Sequence, residues 1–233
     1  MLQRSRVLLE PRKTPVQARS TASVDAILEA TIQVLLRVGK QRLTTTRVAL
    51  RAGVSVGTLY QYFPNKSSLL QAALKRHLDD VTDAVVLACK EQHGRTLRQM
   101  ANALITAFFE AKMKNPKTSV ALYSVSSDVD GAKIVQQTGL RSSKAIVEML
   151  KSSPEPLTRD AELVTSMLQG AIAGVSRRLL ESGAPQKDAD TFRRELIVVA
   201  CAYLDACSSR IPIKNKSSLR RPPKLDQLLP AHP

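Results

Sequence analysis

The tightest steric constraint in this 233-residue chain lies between Thr44 and Leu70, in TTTRVALRAGVSVGTLYQYFPNKSSLL. Two segments of helical period, Thr45 to Ala52 and Val56 to Tyr62, meet at Gly53. Each spans about two turns, too few to hold a helix in water without a partner. Two short helices that cross steeply need a small side chain at the contact and a sharp turn between them. Val48 and Ala49 fall where the first segment faces the second, and a residue larger than Ala49 would push the two apart. Gly53 stands ninth from Thr45, where the chain must take a positive φ that glycine adopts at low cost. Val54 and Leu59 supply core contacts, and the Ser55 hydroxyl is placed to cap the second helix. An Ala-x-x-x-Gly pattern is weak by itself. Six concordant positions beside a flanking helix specify a helix-turn-helix.

The outward positions of such a unit would enter a DNA major groove. Gly57 lets the backbone approach closely, and Thr58, Tyr60, Gln61 and Tyr62 offer hydroxyl, amide and aromatic groups. Gln pairs bidentately with adenine, which makes Gln61 the first candidate for base reading. Tyr60 and Tyr62 suit phosphate oxygens, unless one of them belongs partly to the core. Thr45 and Thr46 open the first helix, where backbone N–H groups and the dipole attract phosphate. Lys66, just behind Asn65, reaches toward a phosphate as well. Arg47 is balanced between a DNA contact and a solvated face; Arg51 reads as solvated.

Elsewhere the pattern is helical throughout. Val24, Ile27, Leu28, Thr31, Leu35 and Val38 recur at three- and four-residue steps and predict a helix over 21–39, capped by Thr21 or Ser23 and ended by Gly39. Asn65 is a good N-cap for a long helix reaching Gln92. Further helices are expected at about 96–114, 117–127, 132–151, 158–181 and 187–209, with Thr158 capping the penultimate one and Gly183 and Pro185 separating the last two. No alternating strand pattern is present. The fold class is therefore all-α, about nine helices. A flexible basic arm (1–19), a helix-turn-helix domain (20–66), a helical body (67–209) and a basic, proline-rich, disordered tail (210–233) make up the chain.

The net charge of +15 is concentrated at both ends. Residues 1–62 hold 10 basic against 3 acidic residues, residues 63–209 hold 19 against 16, and residues 210–233 hold 6 against 1. Polyanions are the expected partners. The arm reads either as a plain terminus or as a segment following DNA. Cys89, Cys201 and Cys207 have no metal-type spacing and read as small buried hydrophobes. His77 and His93 are too isolated for a catalytic dyad, His77 suiting a partly buried structural role. No phosphate-cradling glycine loop appears. No enzyme, cofactor or metal site is expected, no apolar run suits a membrane span, and the protein is expected to be cytoplasmic.

The run Gly-Val-Ser-x-Gly-Thr-Leu-Tyr-x-Tyr-Phe (53–63), then Asn-Lys-x-x-Leu-Leu (65–70), resembles the tetracycline-repressor (TetR) family of bacterial transcriptional regulators. The matching segment runs from about Ser20 to Leu74. The resemblance implies a dimeric repressor of near-palindromic double-stranded DNA, with a C-terminal helical domain that binds a small inducer of unknown identity. It places the DNA-contacting positions at Thr45, Thr46, Val56, Gly57, Thr58, Tyr60, Gln61, Tyr62 and Lys66.

It also implies that the last two helices form a four-helix bundle across the dimer axis. Gly170, Ala171, Gly174 and Val175 form a small-residue run within helix 158–181. Glycine costs about 1 kcal/mol in a helix interior, so two of them suggest a close approach, to a partner helix or to a core neighbour. The partner helix is the working reading, with Leu196, Val199 and Tyr203 opposite. Met100, Leu104, Phe108, Tyr123 and Met167 are the candidate walls of a ligand cavity, although each singly also suits ordinary core. An apolar or amphipathic small molecule is the expectation.

Overall fold

The computed structural model describes residues 18–182 and 185–208. The expected tail, residues 1–17 of the expected arm, and Gly183 lie outside that set. Among the described residues the elements are α1 (Ala18–Arg42), α2 (Thr45–Ala52), α3 (Val56–Tyr62), α4 (Lys66–Glu91), α5 (Leu97–Met113), α6 (Pro116–Val125), a 3-10 turn (Ser126–Asp128), α7 (Gly131–Lys151), α8 (Ala161–Glu181) and α9 (Pro185–Ala206). None is a strand, as the sequence predicts.

Local chemistry sets most of the boundaries. The Arg47 N–H donates to Thr44 Oγ1 at the start of α2, and Gly53 ends it at φ 69°, ψ 27°, with Val54 N–H bonded to the Ala49 carbonyl at 3.0 Å. Ser55 caps α3 by accepting from Thr58 N–H at 2.9 Å. Asn65 and Ser68 form a reciprocal capping box at the head of α4, and Thr96 and Gln99 form another for α5.

Several expectations need correction. α1 begins at Ala18, so Thr21 and Ser23 lie inside the helix and do not cap it, and Ala18 and Arg19 are no part of a flexible arm. Apolar periodicity starts only at the first core-facing residue, Val24, so an exposed leading turn made of good helix formers escapes it. Gly39 does break helical geometry (φ 73°, ψ 168°), yet α1 resumes as far as Arg42. α8 starts at Ala161, with Asp160 accepting from Leu163 N–H at 2.8 Å. Thr158 instead bonds the Cys207 carbonyl through its N–H (2.7 Å) and its hydroxyl (3.0 Å), tying the α7–α8 loop to the end of α9.

The core has two apolar clusters joined along α4. The first packs Ile27, Leu35, Leu43, Val48, Ala49, Leu59 and Phe63 against Leu69 to Leu74 of α4, and takes in Leu122, Val125, Val129 and Ile134 from α6 to α7. The second joins the far half of α4 to α5, α7, α8 and α9 around Met100, Leu104, Phe109, Ile146, Val164 and Leu204. α6 and the turn behind it thus rest on α1 and α4, and Lys40 Nζ at the end of α1 reaches Asp128 Oδ2 at 2.7 Å.

Candidate nucleic-acid interface and the adjoining cavity

Packing of α2 against α3 buries Val48, Ala49 and Leu59 almost completely and turns the other faces of both helices outward. Thr46, Arg47, Gly57, Tyr60 and Gln61 are exposed there, while Thr45, Val56, Thr58, Tyr62 and Lys66 are half-buried. Thr45 Oγ1 and the Tyr60 hydroxyl hydrogen-bond at 3.0 Å, which fixes the start of α2 beside the middle of α3 and gathers both on one surface. Thr58 Oγ1 meets Ser55 Oγ at 2.8 Å. Val56 and Tyr62 pack against the first core cluster, so Tyr62 is the tyrosine that is partly core. Gln61 and Thr46 have no side-chain hydrogen bond among the described residues, leaving both amide and hydroxyl available.

The cations of this surface are placed less simply. Arg47 Nη1 donates to the Arg42 carbonyl at 2.6 Å, and Lys66 Nζ donates to the Lys40 carbonyl. Both satisfy orphan carbonyls at the C-terminal end of α1, where the helix dipole also favours positive charge. Arg51 Nε donates to Gln33 Oε1 at 2.6 Å. None of the three forms an ion pair among the described residues, so each keeps its charge for the surface.

Behind this unit, α4, α5, α6, α7 and α8 enclose a partly open cavity of about 440 Å³. Leu104, Phe108 and Tyr123 line it, with Leu78, Val81, Val85, Val135, Ile146, Ile172 and Leu180. Met100 does not. It is fully buried in the second core cluster, on the side of α5 that packs against its neighbours. Met167 is 55% exposed on the outer face of α8 and does not line the cavity either. The polar lining was missed in the sequence: Lys112, Thr138, Ser142, Gln169, Ser176 and Arg177. One signal for it was present, since Lys112 continues the apolar stripe of Leu104 and Phe108 at four-residue spacing.

Around the mouth, Glu181 accepts from the Tyr123 hydroxyl at 2.7 Å and from Arg177 Nε at 3.0 Å. These contacts hold the Glu181 carboxyl below its ordinary range, the Tyr123 bond first. Next to the cavity, His77 Nε2 and Ser119 Oγ lie 3.1 Å apart, and that hydroxyl also bonds the Lys112 carbonyl. Burial, reinforced by the Lys112 charge, brings His77 down to about 4. Burial alone brings Lys112 down to about 8. His77 is therefore neutral at pH 7 and Lys112 remains mostly charged.

On the outer face of α8, Leu163, Met167, Gly170 and Gly174 form one exposed stripe, and Val198 and Val199 are exposed on α9. A Cβ at Gly170 or Gly174 would meet nothing within 4 Å, so neither glycine is required by packing within the chain. Leu196, by contrast, is buried in the chain's own core, where Ala171, Val175 and Tyr203 also pack. Leu196 therefore has no free surface to offer a partner.

Comparison with known proteins bears on both regions. A family model described as bacterial regulatory proteins, tetR family, matches residues 27–73, and one described as tetracyclin repressor-like, C-terminal domain, matches residues 96–204. The chain belongs to the TetR family. This TetR-family chain is 36% identical over 118 residues to the transcriptional repressor KstR of Mycolicibacterium smegmatis, covering 48% of this chain and 55% of that protein. It is 35% identical over 103 residues to the transcriptional regulator BetI 1 of Chromohalobacter salexigens, covering 43% and 50%. The chain spans about half the length of these curated relatives. Among solved structures, SmeT, the repressor of the Stenotrophomonas maltophilia multidrug efflux pump SmeDEF, superposes with TM-score 0.61 at 17% identity, over 77% of this chain and 89% of its own. That likeness shows a shared fold. No helix among the described residues is long and apolar enough to cross a membrane.

Proposed function

We propose that this protein is a sequence-specific DNA-binding transcriptional regulator, a dimeric repressor released from its operator by a small molecule. The observation that carries the reading is the outward face of α2 and α3. Gly57, Tyr60 and Gln61 are exposed on a helix held by a capped, left-handed turn, and Gln61 has its amide available for an adenine edge. In this reading Thr45, Thr46, Thr58, Tyr60 and Tyr62 fix the register on phosphates. Arg47 and Lys66 add charge, while Val56 and Gly57 supply close backbone approach. KstR is named a transcriptional repressor, which favours repression over activation.

One reading unit contacts few base pairs, so discrimination requires a pair spaced by about 34 Å on a near-palindromic site. The exposed α8 stripe, Leu163, Met167, Gly170 and Gly174, with Val199 of α9, offers an apolar face for a second copy. Residues 20–66 then read DNA, and residues 67–209 dimerise and hold the effector in the cavity lined by Leu104, Phe108 and Tyr123. α4 starts beside the reading unit and supplies Leu78, Val81, Thr82 and Val85 to the cavity wall. A ligand that favours one tilt of α4 changes the separation of the two reading helices. It must bind the DNA-incompetent arrangement more tightly, since equal affinity shifts nothing.

A second reading comes from a 35% identity over 78 residues to the nucleoid occlusion factor SlmA of Haemophilus ducreyi, covering 34% of this chain and 38% of that protein. It would make the protein a nucleoid occlusion factor, as that relative is named. DNase footprinting on DNA flanking its own gene separates the two. The regulator reading predicts a protected pair of half-sites about one helical turn apart at the promoter; uniform or absent protection there contradicts it.

A further inference from the structure

Resting on the reading that the cavity holds the effector, we propose that the effector is an amphipathic monoanion. Its single anionic head, a carboxylate or a group of like charge, pairs with Lys112, while its apolar part lies among Val81, Val85, Leu104, Phe108 and Ile146.

Two ionised side chains line the cavity, Lys112 and Arg177, both cationic, and no carboxylate is among the lining residues. Arg177 already has a partner in Glu181 at 3.0 Å. Lys112 has no ion pair among the described residues. Its backbone carbonyl accepts from Ser119, whose hydroxyl lies 3.1 Å from His77 Nε2, and neither of those two side chains carries negative charge. An ammonium taken out of water without a counter-charge is unfavourable, and a folded chain ordinarily avoids it. Here it is retained on the α5 stripe that otherwise presents Leu104 and Phe108 to the same space. Burial lowers Lys112 to about 8, which still leaves it charged at neutral pH and ready to bind an anion.

The rest of the lining sets the other half of the ligand. Ser142 donates to the Gly139 carbonyl at 2.9 Å and accepts from Gln169 Nε2 at 3.2 Å, while Gln169 Oε1 accepts from Ser143 at 2.8 Å. Thr138 donates to the Ile134 carbonyl at 2.9 Å. Ser142, Gln169 and Thr138 are thus engaged within the chain, and the rest of the wall is apolar apart from Thr82 and Ser176. A neutral ligand would leave Lys112 uncompensated, and a cationic one would be repelled. A charged head on an apolar chain satisfies both parts of the cavity.

Isothermal titration of the full-length protein at pH 7 with decanoate, 1-decanol and decylamine, repeated across chain lengths of about six to fourteen carbons, tests this. Decanoate is expected to bind about ten-fold or more tightly than decanol, as a charge-assisted contact adds that much, with decylamine no better than decanol. Lys112→Met should abolish the preference for the acid and melt, without ligand, at or above the wild-type temperature, because a desolvated charge has been removed. Lys112→Arg should keep the preference. Lys114→Met, a change at an exposed neighbour, should leave it untouched, which separates the cavity from general attraction to a basic protein. Equal binding of acid and alcohol, no binding by any chain length, or a preference that survives Lys112→Met overturns the inference. Operator affinity measured in parallel tests the underlying reading separately. Decanoate bound at Lys112 without operator release contradicts the effector reading alone, whereas release by a neutral occupant of the cavity contradicts the anion alone.

Discussion

Gly53 holds the turn of the helix-turn-helix with φ 69°, and a Cβ built there meets no atom within 4 Å. The penalty for replacing it is therefore purely conformational. Gly53→Ala should cost about 1–2 kcal/mol, read as a lower urea midpoint at unchanged slope. His77 makes a second residue-scale prediction. Its value is about 4 when folded and 6.5 ordinarily, so on acidification the unfolded chain takes the proton first. Stability should fall as pH drops from about 6.5 toward 4 and level off below that, and His77→Gln should remove that segment of the pH profile. A profile for His77→Gln that overlays wild type across this window contradicts the assignment. At this scale the sequence was informative where sterics dictate a residue: Ala49, Gly53, Ser55 and Asn65 all occupy the roles their chemistry suggested. Lys66 and Arg47 were less legible. The carbonyls they bond belong to the end of α1, and apolar spacing carries no information about that contact.

Among the elements, α8 presents two faces with different tasks. Ile172 and Leu180 face the cavity, while Leu163, Met167, Gly170 and Gly174 face outward. Periodicity finds both faces but does not say what covers each. That is why Met167, soft and apolar, suited a cavity wall in the sequence and lies on the outside in the fold. Leu196 went wrong in the opposite sense, suiting an interface and lying in the core. The cap of α8 shows a similar limit, because Thr158 and Asp160 are both good caps and only the contact with Cys207 decides between them. If the outer stripe is the dimer face, Met167→Glu combined with Val199→Glu should yield a monomer by sedimentation equilibrium with helix content unchanged. Operator affinity should fall about a hundred-fold or more as one half-site is lost. A double variant that remains dimeric would move the interface elsewhere.

For the whole molecule, a net charge of +15 supplies sequence-blind attraction, but α3 itself bears no charge. Affinity and discrimination should therefore separate experimentally. Phosphate contacts govern the salt dependence, with a slope of roughly −0.9 per phosphate neutralised, and α3 should contribute little to it. The most direct measurement is the affinity of wild-type and Gln61→Ala protein for a footprinted operator and for a scrambled duplex of equal length, across a salt series. The account predicts that wild type prefers the operator by about a thousand-fold or more. Gln61→Ala should lose about ten-fold of that preference, with the salt slope and the scrambled-duplex affinity unchanged. A Gln61→Ala protein that keeps the full preference, or a wild type that binds both duplexes alike, would contradict it.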